Sequence, residues 1–494
     1  MKLKCLLIIV FQFALVPFCF SQGLNNLWYV GYGDTSTAPW GNGKIDFFTG
    51  SATVTNFPIE MEFDQAHANI SDSAGNMLFY TNGYYIANAN NDTMVNGTGI
   101  NPSVYTSINP DGLNLNQPNL IIPMPGDNHK YYFIHCTRDN INISVTKFIY
   151  ASIIDISLNG NLGEVISKNQ IILSDDLNKA KLSAVKHGNG RDWWVLCHKM
   201  NTNLFYKFLI TPSGINNPAT QAIGINRPED TGQTWFSPDG SKFAYYWFQH
   251  GLEIFDFDRC TGLFSNPVHI NVDPLAGSGV AFSPNGNVLY ASATDELYQF
   301  DLTAANIAAS KTVVAVWDSF LYTLGSVSLP TWFELMALAP DGKIYITTGN
   351  GTQQMHIIDQ PDILGTACNV MQHALQIPTL YANTLPNHPN YHLGPLVGSV
   401  CDTVYTGIPP PEERLTLKLY PNPNNGTFQI TYTPVPENLK LQVFNILGKE
   451  VHAQLLPQWS QLQYINVGKL PAGVYMATIT SSASKKSVKF IVEE

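Results

Sequence analysis

Three times in this chain a short apolar run ends in a Pro-Asp/Asn-Gly turn, and a second apolar run starts at once. The copies are Phe236-Ser237-Pro238-Asp239-Gly240, Phe282-Ser283-Pro284-Asn285-Gly286 and Leu338-Ala339-Pro340-Asp341-Gly342. Proline presets φ for the first turn position, and glycine takes the positive φ that closes it. The runs that follow, residues 242–247, 288–292 and 343–348, are each succeeded by a third run ending in Asp256, Asp301 or Asp359. The spacings between the turn glycines are 46 and 56 residues. Strand, turn, strand, loop, strand at such a period is the layout of a propeller blade.

The rest of the chain up to residue 400 conforms to this plan more loosely. Residues 129–136 and 191–198 align as a further repeated strand, and 72–76 turn into the run 77–81. Several runs alternate in period two, as half-buried antiparallel strands do. The best helical stretch, 303–310, is too short to form a layer. About 28 strand-like runs at four per blade give about seven blades. The expectation is an all-β chain, with about seven propeller blades over 22–400 and a small β-sandwich at the C-terminus. Charged residues are 13% and the net charge is −11, with no basic patch, which argues against nucleic acid as a partner.

The N-terminus reads as an address. Lys2 and Lys4 precede an apolar run over 5–20, with Cys19 and Ser21 as the small residues before a cleavage point, so 1–21 is expected to be a secretory signal peptide. The run is shorter than the ~20 residues a spanning helix needs, and Pro17 interrupts it. No later stretch is apolar enough to span a membrane. Beyond the leader stand Cys136, Cys197, Cys260, Cys368 and Cys401, an odd number in a compartment that permits disulfides. Cys368 and Cys401 lie outside the clearest strands, and their pairing would clamp the chain end onto the last blade.

Residues 401–414 hold Pro409-Pro410-Pro411, a run without amide donors that favours an extended chain, and read as a linker. From 415 to 494 six or seven strands crowd into about eighty residues, the signature of a small antiparallel sandwich.

This last module closely resembles the type A C-terminal sorting domain of the Bacteroidetes type IX secretion system. The matching blocks are Leu419-Tyr420-Pro421-Asn422-Pro423 with Gly426 and Phe428, then Val443 to Lys449 with Gly448, then Leu470-Pro471-Ala472-Gly473-Val474-Tyr475, and the basic close with Lys485, Lys486 and Lys489. The resemblance implies the type IX machinery as a partner and a destination outside the cell or on its outer surface. Gly473, opening a strand, is expected to need a conformation that only glycine adopts easily. The larger region resembles secreted Bacteroidetes propellers related to WD-repeat and quinoprotein-type propellers. The phrases that carry this are 71–83, 185–190, 255–262 and 385–391, although the Trp-Asp ending of WD blades is absent.

Chemistry is thinly signalled. His388 and His392 are spaced as a metal pair would be on a helix, but Pro389 prevents that helix. Asp256 and Asp258 lack the further oxygen ligands that calcium needs. His135-Cys136 and Cys197-His198 recur at matching positions, yet adjacent strand residues face opposite sides. No catalytic residue, metal or cofactor is therefore assigned. The expected role is binding of a glycan, a polymer or a surface protein. The alternative is an extracellular propeller enzyme of lyase, lactonase or glycosidase type acting at the central channel, which a cluster of acids and histidines there would favour over a lining of apolar and amide groups.

Overall fold

In a computed structural model the described residues are 23–33, 39–139, 145–228, 231–248, 250–272, 279–402, 415–432, 438–457, 462–481 and 484–493. The expected signal peptide and the proline run at 409–411 lie outside them. The chain divides into a large unit, Ser21–Val404, and a C-terminal unit that begins at Tyr405.

The large unit is a β-propeller. Among the described residues it holds seven antiparallel sheets of three to five strands and one further hairpin, Leu321–Leu324 with Val327–Pro330. The strands nearest the axis, in ring order, are Leu27–Tyr32, Ala68–Ser71, Asn119–Pro123, Ser183–Lys186, Thr234–Phe236, Val280–Phe282 and Met336–Leu338. The only α-helix among the described residues is one five-residue turn, Val104–Ile108, capped by Ser103. The stretch 303–310 holds only a 3-10 turn, Ala308–Ser310.

Blade packing explains why the strands read as continuous apolar runs. Strand Lys242–Trp247 is buried at every position after Lys242. Phe243, Tyr245 and Trp247 pack with Val185, Trp194 and Leu196 of the fourth blade. Ala244 and Tyr246 pack with Val280, Phe282 and Leu289 of the sixth. A strand covered on both faces needs apolar residues at odd and even positions alike. The ring closes in the same way, with Trp28, Val30 and Phe47 of the first blade packed against Tyr345, Met355 and Ile357 of the seventh.

The inner edges of a propeller's inner strands carry backbone groups with no strand partner, and the interior must satisfy them. Here amide side chains do so. Asn387 Nδ2 donates to the carbonyls of Asn119 (3.1 Å) and Leu182 (2.9 Å), and its backbone N–H donates to His67 (3.2 Å). Gln117 Nε2 donates to Thr234 O (2.8 Å) and to Asn387 Oδ1 (3.2 Å). Gln233 Oε1 accepts from the N–H groups of Val280 (3.2 Å) and Met336 (2.8 Å). Asn387 belongs to a segment that runs down the axis, from Asn383 at the mouth where the inner strands begin to Asn390 at the mouth where they end. These two openings are the upper and lower mouths below. The axial segment is fastened further by Thr384 Oγ1 to Phe63 O (2.6 Å), His388 Nε2 to Asn69, Tyr391 OH to Ile121 O (2.9 Å) and Arg259 Nη2 to Gly394 O (2.6 Å).

The expected Cys368–Cys401 bridge is not formed. Cys401 is bonded to Cys260, 141 residues earlier, and Cys368 is a buried free thiol in the interior between the sixth and seventh blades. The axial segment leaves the lower mouth beside the fifth blade, where Leu396 N–H donates to Gly188 O (2.8 Å), so Cys260 is the thiol it meets. Gly188 sits against both sulfurs, where a Cβ would lie 2.3 Å from Cys401 Sγ and 2.7 Å from Cys260 Sγ. Cys401 therefore belongs to the propeller unit and not to a linker.

The C-terminal unit is a sandwich of two sheets. Leu417–Tyr420, Thr427–Tyr432 and Leu462–Asn466 form one; Leu439–Asn445, Glu450–Leu456, Gly473–Thr480 and Lys485–Val492 form the other. Phe428, Ile430, Leu441, Val443, Ala477 and Phe490 fill the space between them. Phe490 packs on Phe428 at 4.8 Å and stacks on Tyr475 at 5.7 Å.

Candidate functional site

The repeated turns belong to the fifth, sixth and seventh blades, at the end where their inner strands reach the lower mouth. In each, the glycine N–H donates three residues back, Gly240 to Ser237 O (2.8 Å), Gly286 to Ser283 O (3.0 Å) and Gly342 to Ala339 O (3.0 Å). The turn glycines have φ of +73°, +72° and +79°, a region that side chains with a Cβ rarely adopt. The polar residue before each glycine locks its turn. Asp239 accepts from Ser237 Oγ (2.6 Å) and Ser241 N (3.0 Å), Asn285 from Ser283 Oγ (2.8 Å) and Asn287 N (2.9 Å), and Asp341 from Lys343 N (3.2 Å) and Tyr345 OH (2.8 Å). Pro238 and Pro340 form part of the cavity wall, while Pro284 does not.

That cavity has a volume of about 250 Å³. Its apolar lining includes Trp28, Trp235 and Phe236 with Pro238, Pro340 and Pro386, and its polar lining is Asn25, Ser237, Asn390, His388 and His392. No Asp, Glu, Lys or Arg lines it. His388 is pushed down to about 4 by burial, so it is neutral at neutral pH. Its Nε2 is engaged by Asn69, and that of His392 by Asn25 Oδ1 (3.3 Å), so the two rings have different partners. Trp235 Nε1 donates to Met336 O (3.2 Å). Trp28 is 2% exposed, and its indole N–H has no acceptor among the described residues.

The upper mouth is chemically different. A cavity of about 180 Å³ is lined by Arg138, Lys179, Glu334 and the amides of Gln65, Asn114, Asn116 and Asn383. The Arg138 guanidinium lies 5.5 Å from the Tyr105 ring centroid, and its Nε is buried with no acceptor among the described residues. Tyr105 comes from the α-helical turn Val104–Ile108, and its hydroxyl accepts from Asn114 N (3.3 Å). Glu334 fills the room left by Gly349, where a Cβ would lie 2.6 Å from its Cγ. Burial pushes the Glu334 carboxyl up to about 7.

The other candidate groups are absorbed locally. Asp256 bonds Lys242 Nζ (2.7 Å) and Asn266 Nδ2 (2.8 Å), and Asp258 accepts from Cys260 N (2.8 Å) and Thr261 Oγ1 (2.7 Å). His135 is held between Asn101 Oδ1 (2.7 Å) and Ser152 Oγ (2.9 Å), and burial pushes it down to about 3. Burial raises the thiols of Cys136 and Cys197. Among the described residues no group of three His, Cys, Asp or Glu side chains is placed to hold a metal ion.

In the C-terminal sandwich, Asn422 stands between two prolines, each preceded by a cis peptide, and grips the final strand. Its Oδ1 accepts from Ile491 N (2.8 Å), and its Nδ2 donates to the Lys489 carbonyl (3.4 Å), while the Lys489 side chain is exposed. Asn424 continues the clasp, donating to Ile491 O (3.0 Å) and accepting from Glu493 N (2.8 Å). Gly426 has φ +93°, and a Cβ there would lie 2.4 Å from Gly468 O. Gly448 turns a hairpin at φ +77°. Tyr475 OH donates to Pro471 O (2.8 Å) and fixes that turn. Gly473 is not at positive φ, and the nearest atom to a Cβ would be 3.9 Å away, so the expected need for glycine is not met there.

Residues 418–493 match the family model described as "Secretion system C-terminal sorting domain". This is the tail of type IX secretion, and it directs the propeller to the cell surface or the extracellular space through that machinery. No curated protein matches the chain. Solved structures resemble it in fold. A periplasmic gluconolactonase of Pseudomonas aeruginosa is 12% identical at a TM-score of 0.42, covering 72% of this chain and 98% of its own. A Lactobacillus plantarum protein is 12% identical at 0.40, covering 73% and 98%. The β-propeller domain of a Myceliophteria thermophila protein is 11% identical at 0.35, covering 66% and 93%.

Proposed function

We propose that this exported propeller is a binding protein whose lower mouth takes a neutral, hydroxyl-rich ligand, a glycan segment. Flat apolar walls from Trp235, Phe236 and the prolines offer faces for the C–H surfaces of a sugar ring, and amide and hydroxyl groups on the rim offer partners for its hydroxyls. A lining without formal charge suits a ligand without charge. The observation that carries the reading is the Trp28 indole N–H, a buried donor with no acceptor among the described residues, on a side chain that lines an uncharged aromatic cavity. A ligand hydroxyl would supply that acceptor. Along the axis the amides of Asn387, Gln117 and Gln233 are already committed to backbone atoms and offer no proton for acid–base chemistry near neutral pH, and His388 is engaged by Asn69.

The test is a glycan array with the full chain collected from the medium or cell surface, followed by titration of the best neutral ligand against Trp28→Phe. This change keeps a ring against Phe47 and Tyr345 and removes the N–H together with part of the indole surface, so a circular dichroism melt of the variant separates lost binding from lost packing. The expected result is binding of a neutral oligosaccharide that weakens by about tenfold in the variant. Failure of every neutral glycan to bind, or equal binding by Trp28→Phe, would overturn the proposal.

A further inference from the structure

The upper mouth is separated from the lower one by the axial segment and its amides, and its chemistry is ionic. Arg138 is carried by the third blade and Glu334 by the seventh, so they face the cavity from opposite sides of the ring. We infer that the upper mouth is a second binding site, independent of the lower one, in which Arg138 holds the carboxylate of a sugar acid.

Three observations carry this. The first is the unmet donor. A guanidinium N–H taken out of water and left without an acceptor is costly, and Arg138 Nε is in that position among the described residues. The second is preorganisation. The Tyr105 ring lies against the guanidinium, and the Tyr105 hydroxyl is tied to the backbone of Asn114, so the fork is held before any ligand arrives. A planar guanidinium presents paired donors that match a carboxylate's two oxygens. The third is the remaining wall. Gln65, Asn116 and Asn383 add donors and acceptors suited to hydroxyl groups, in a space of about 180 Å³ that fits one sugar ring.

Glu334 narrows the class of anion. With its carboxyl raised to about 7, Glu334 carries a partial negative charge at neutral pH, which opposes a sulfate or phosphate dianion more than a monoanion. A monocarboxylate places one anionic group on Arg138 and turns hydroxyls toward Glu334. The ligand class is therefore a uronate, free or at the end of a chain.

The experiment is isothermal titration of the full-length exported protein with D-glucuronate, D-glucose and inorganic sulfate, and of its Arg138→Gln and Arg138→Lys variants with D-glucuronate. Glucuronate should bind at least about tenfold more tightly than glucose or sulfate. Arg138→Gln should lose about tenfold or more, and Arg138→Lys should recover only part of the loss, because an ammonium is a point charge without the planar fork. A circular dichroism melt of each variant separates lost binding from lost fold, and the glucose and sulfate arms on the unaltered protein do not depend on any variant folding. A titrated trigalacturonate arm distinguishes a chain end from a free sugar. No glucuronate binding at millimolar concentration, equal binding of glucose or sulfate, or unchanged binding by a folded Arg138→Gln would overturn the inference. The Trp28→Phe variant should bind glucuronate normally, which keeps failure of this site distinct from failure of the lower one.

Discussion

Replacing Asn387 with alanine should weaken the whole propeller, because one amide serves inner-edge groups of the third and fourth blades. Its Nδ2 satisfies the carbonyls of Asn119 and Leu182, and its Oδ1 accepts from Gln117. Asn119 and Asn387 are 0% and 3% exposed, so water does not replace these bonds freely. Each buried carbonyl left without a donor costs about 1–3 kcal/mol, and the two together with the lost acceptor come to about 3–5 kcal/mol. Gln117 retains its bond to Thr234 O, which holds the figure below three full penalties. Unfolding entropy of about 2.1 cal/mol/K per residue, applied to the Ser21–Val404 unit, gives about 0.8 kcal/mol/K. The melting midpoint should then fall by about 4–6 °C in a calorimetric scan. Asn390→Ala, which removes a bond to Pro238 O and an exposed one from His392 N, should lose only about 1 kcal/mol. If Asn387→Ala melts within about 0.5 kcal/mol of the unaltered protein, the axial segment is not what satisfies the inner edges.

Peptide mapping of exported protein should find Cys260 joined to Cys401 and Cys368 as a free thiol, and Cys401→Ser should lose roughly 3–5 kcal/mol on the chain-entropy estimate for so long a loop. A peptide joining Cys368 to Cys401 would refute the pairing. Because the folded protein holds Glu334 near 7 while the unfolded chain releases that proton near 4.5, stability should decline as pH rises between those values. Denaturant midpoints at pH 5 and pH 8 should differ less for Glu334→Gln than for the unaltered chain, and parallel behaviour would show that Glu334 is not held in its neutral form. Gly426→Val should block export as fully as removal of residues 405–494, while Gly473→Ala should be exported normally, because only Gly426 combines positive φ with a close backbone neighbour. Fractionation of cells and medium decides this, and the reverse pattern would count against the structural reason given for Gly426.

The features legible in the sequence are those whose causes are local. A Pro-Asp-Gly turn fixes its own dihedrals from side chains within five residues, so the turns at Gly240, Gly286 and Gly342 read out directly, and with them the blade period. The sorting tail was legible for the same reason, since its turns and clasp are short blocks in fixed order. What required three dimensions was pairing across the ring. Cys260 and Cys401 meet only because the chain end descends the axis and leaves beside the fifth blade. Asn387 and Gln117 look like ordinary loop amides until the unpaired inner edges are seen. Arg138, Tyr105, Glu334 and Trp28 come from separate blades or loops, and no spacing in the chain links them. The buried pair of Arg227 with Glu253, set among the rings of Phe205, Tyr245, Trp247 and Phe255, is another case, since each residue alone reads as a strand charge. Gly473 shows the opposite error. A glycine at a strand opening invited a conformational reason that its backbone does not bear out.

Hydrogen–deuterium exchange on the full-length exported protein, with and without a saturating neutral oligosaccharide chosen by array, tests the binding account most directly. Slowed exchange should concentrate in the peptides that frame the lower mouth, those holding Trp28, the turns at 236–240 and 338–342, and the axial segment 386–392. Exchange at the upper mouth, in peptides holding Asn114 and Glu334, should be unchanged by that ligand. Protection confined to the upper mouth, to outer strands or to the C-terminal sandwich would contradict the assignment of the lower mouth as the glycan site.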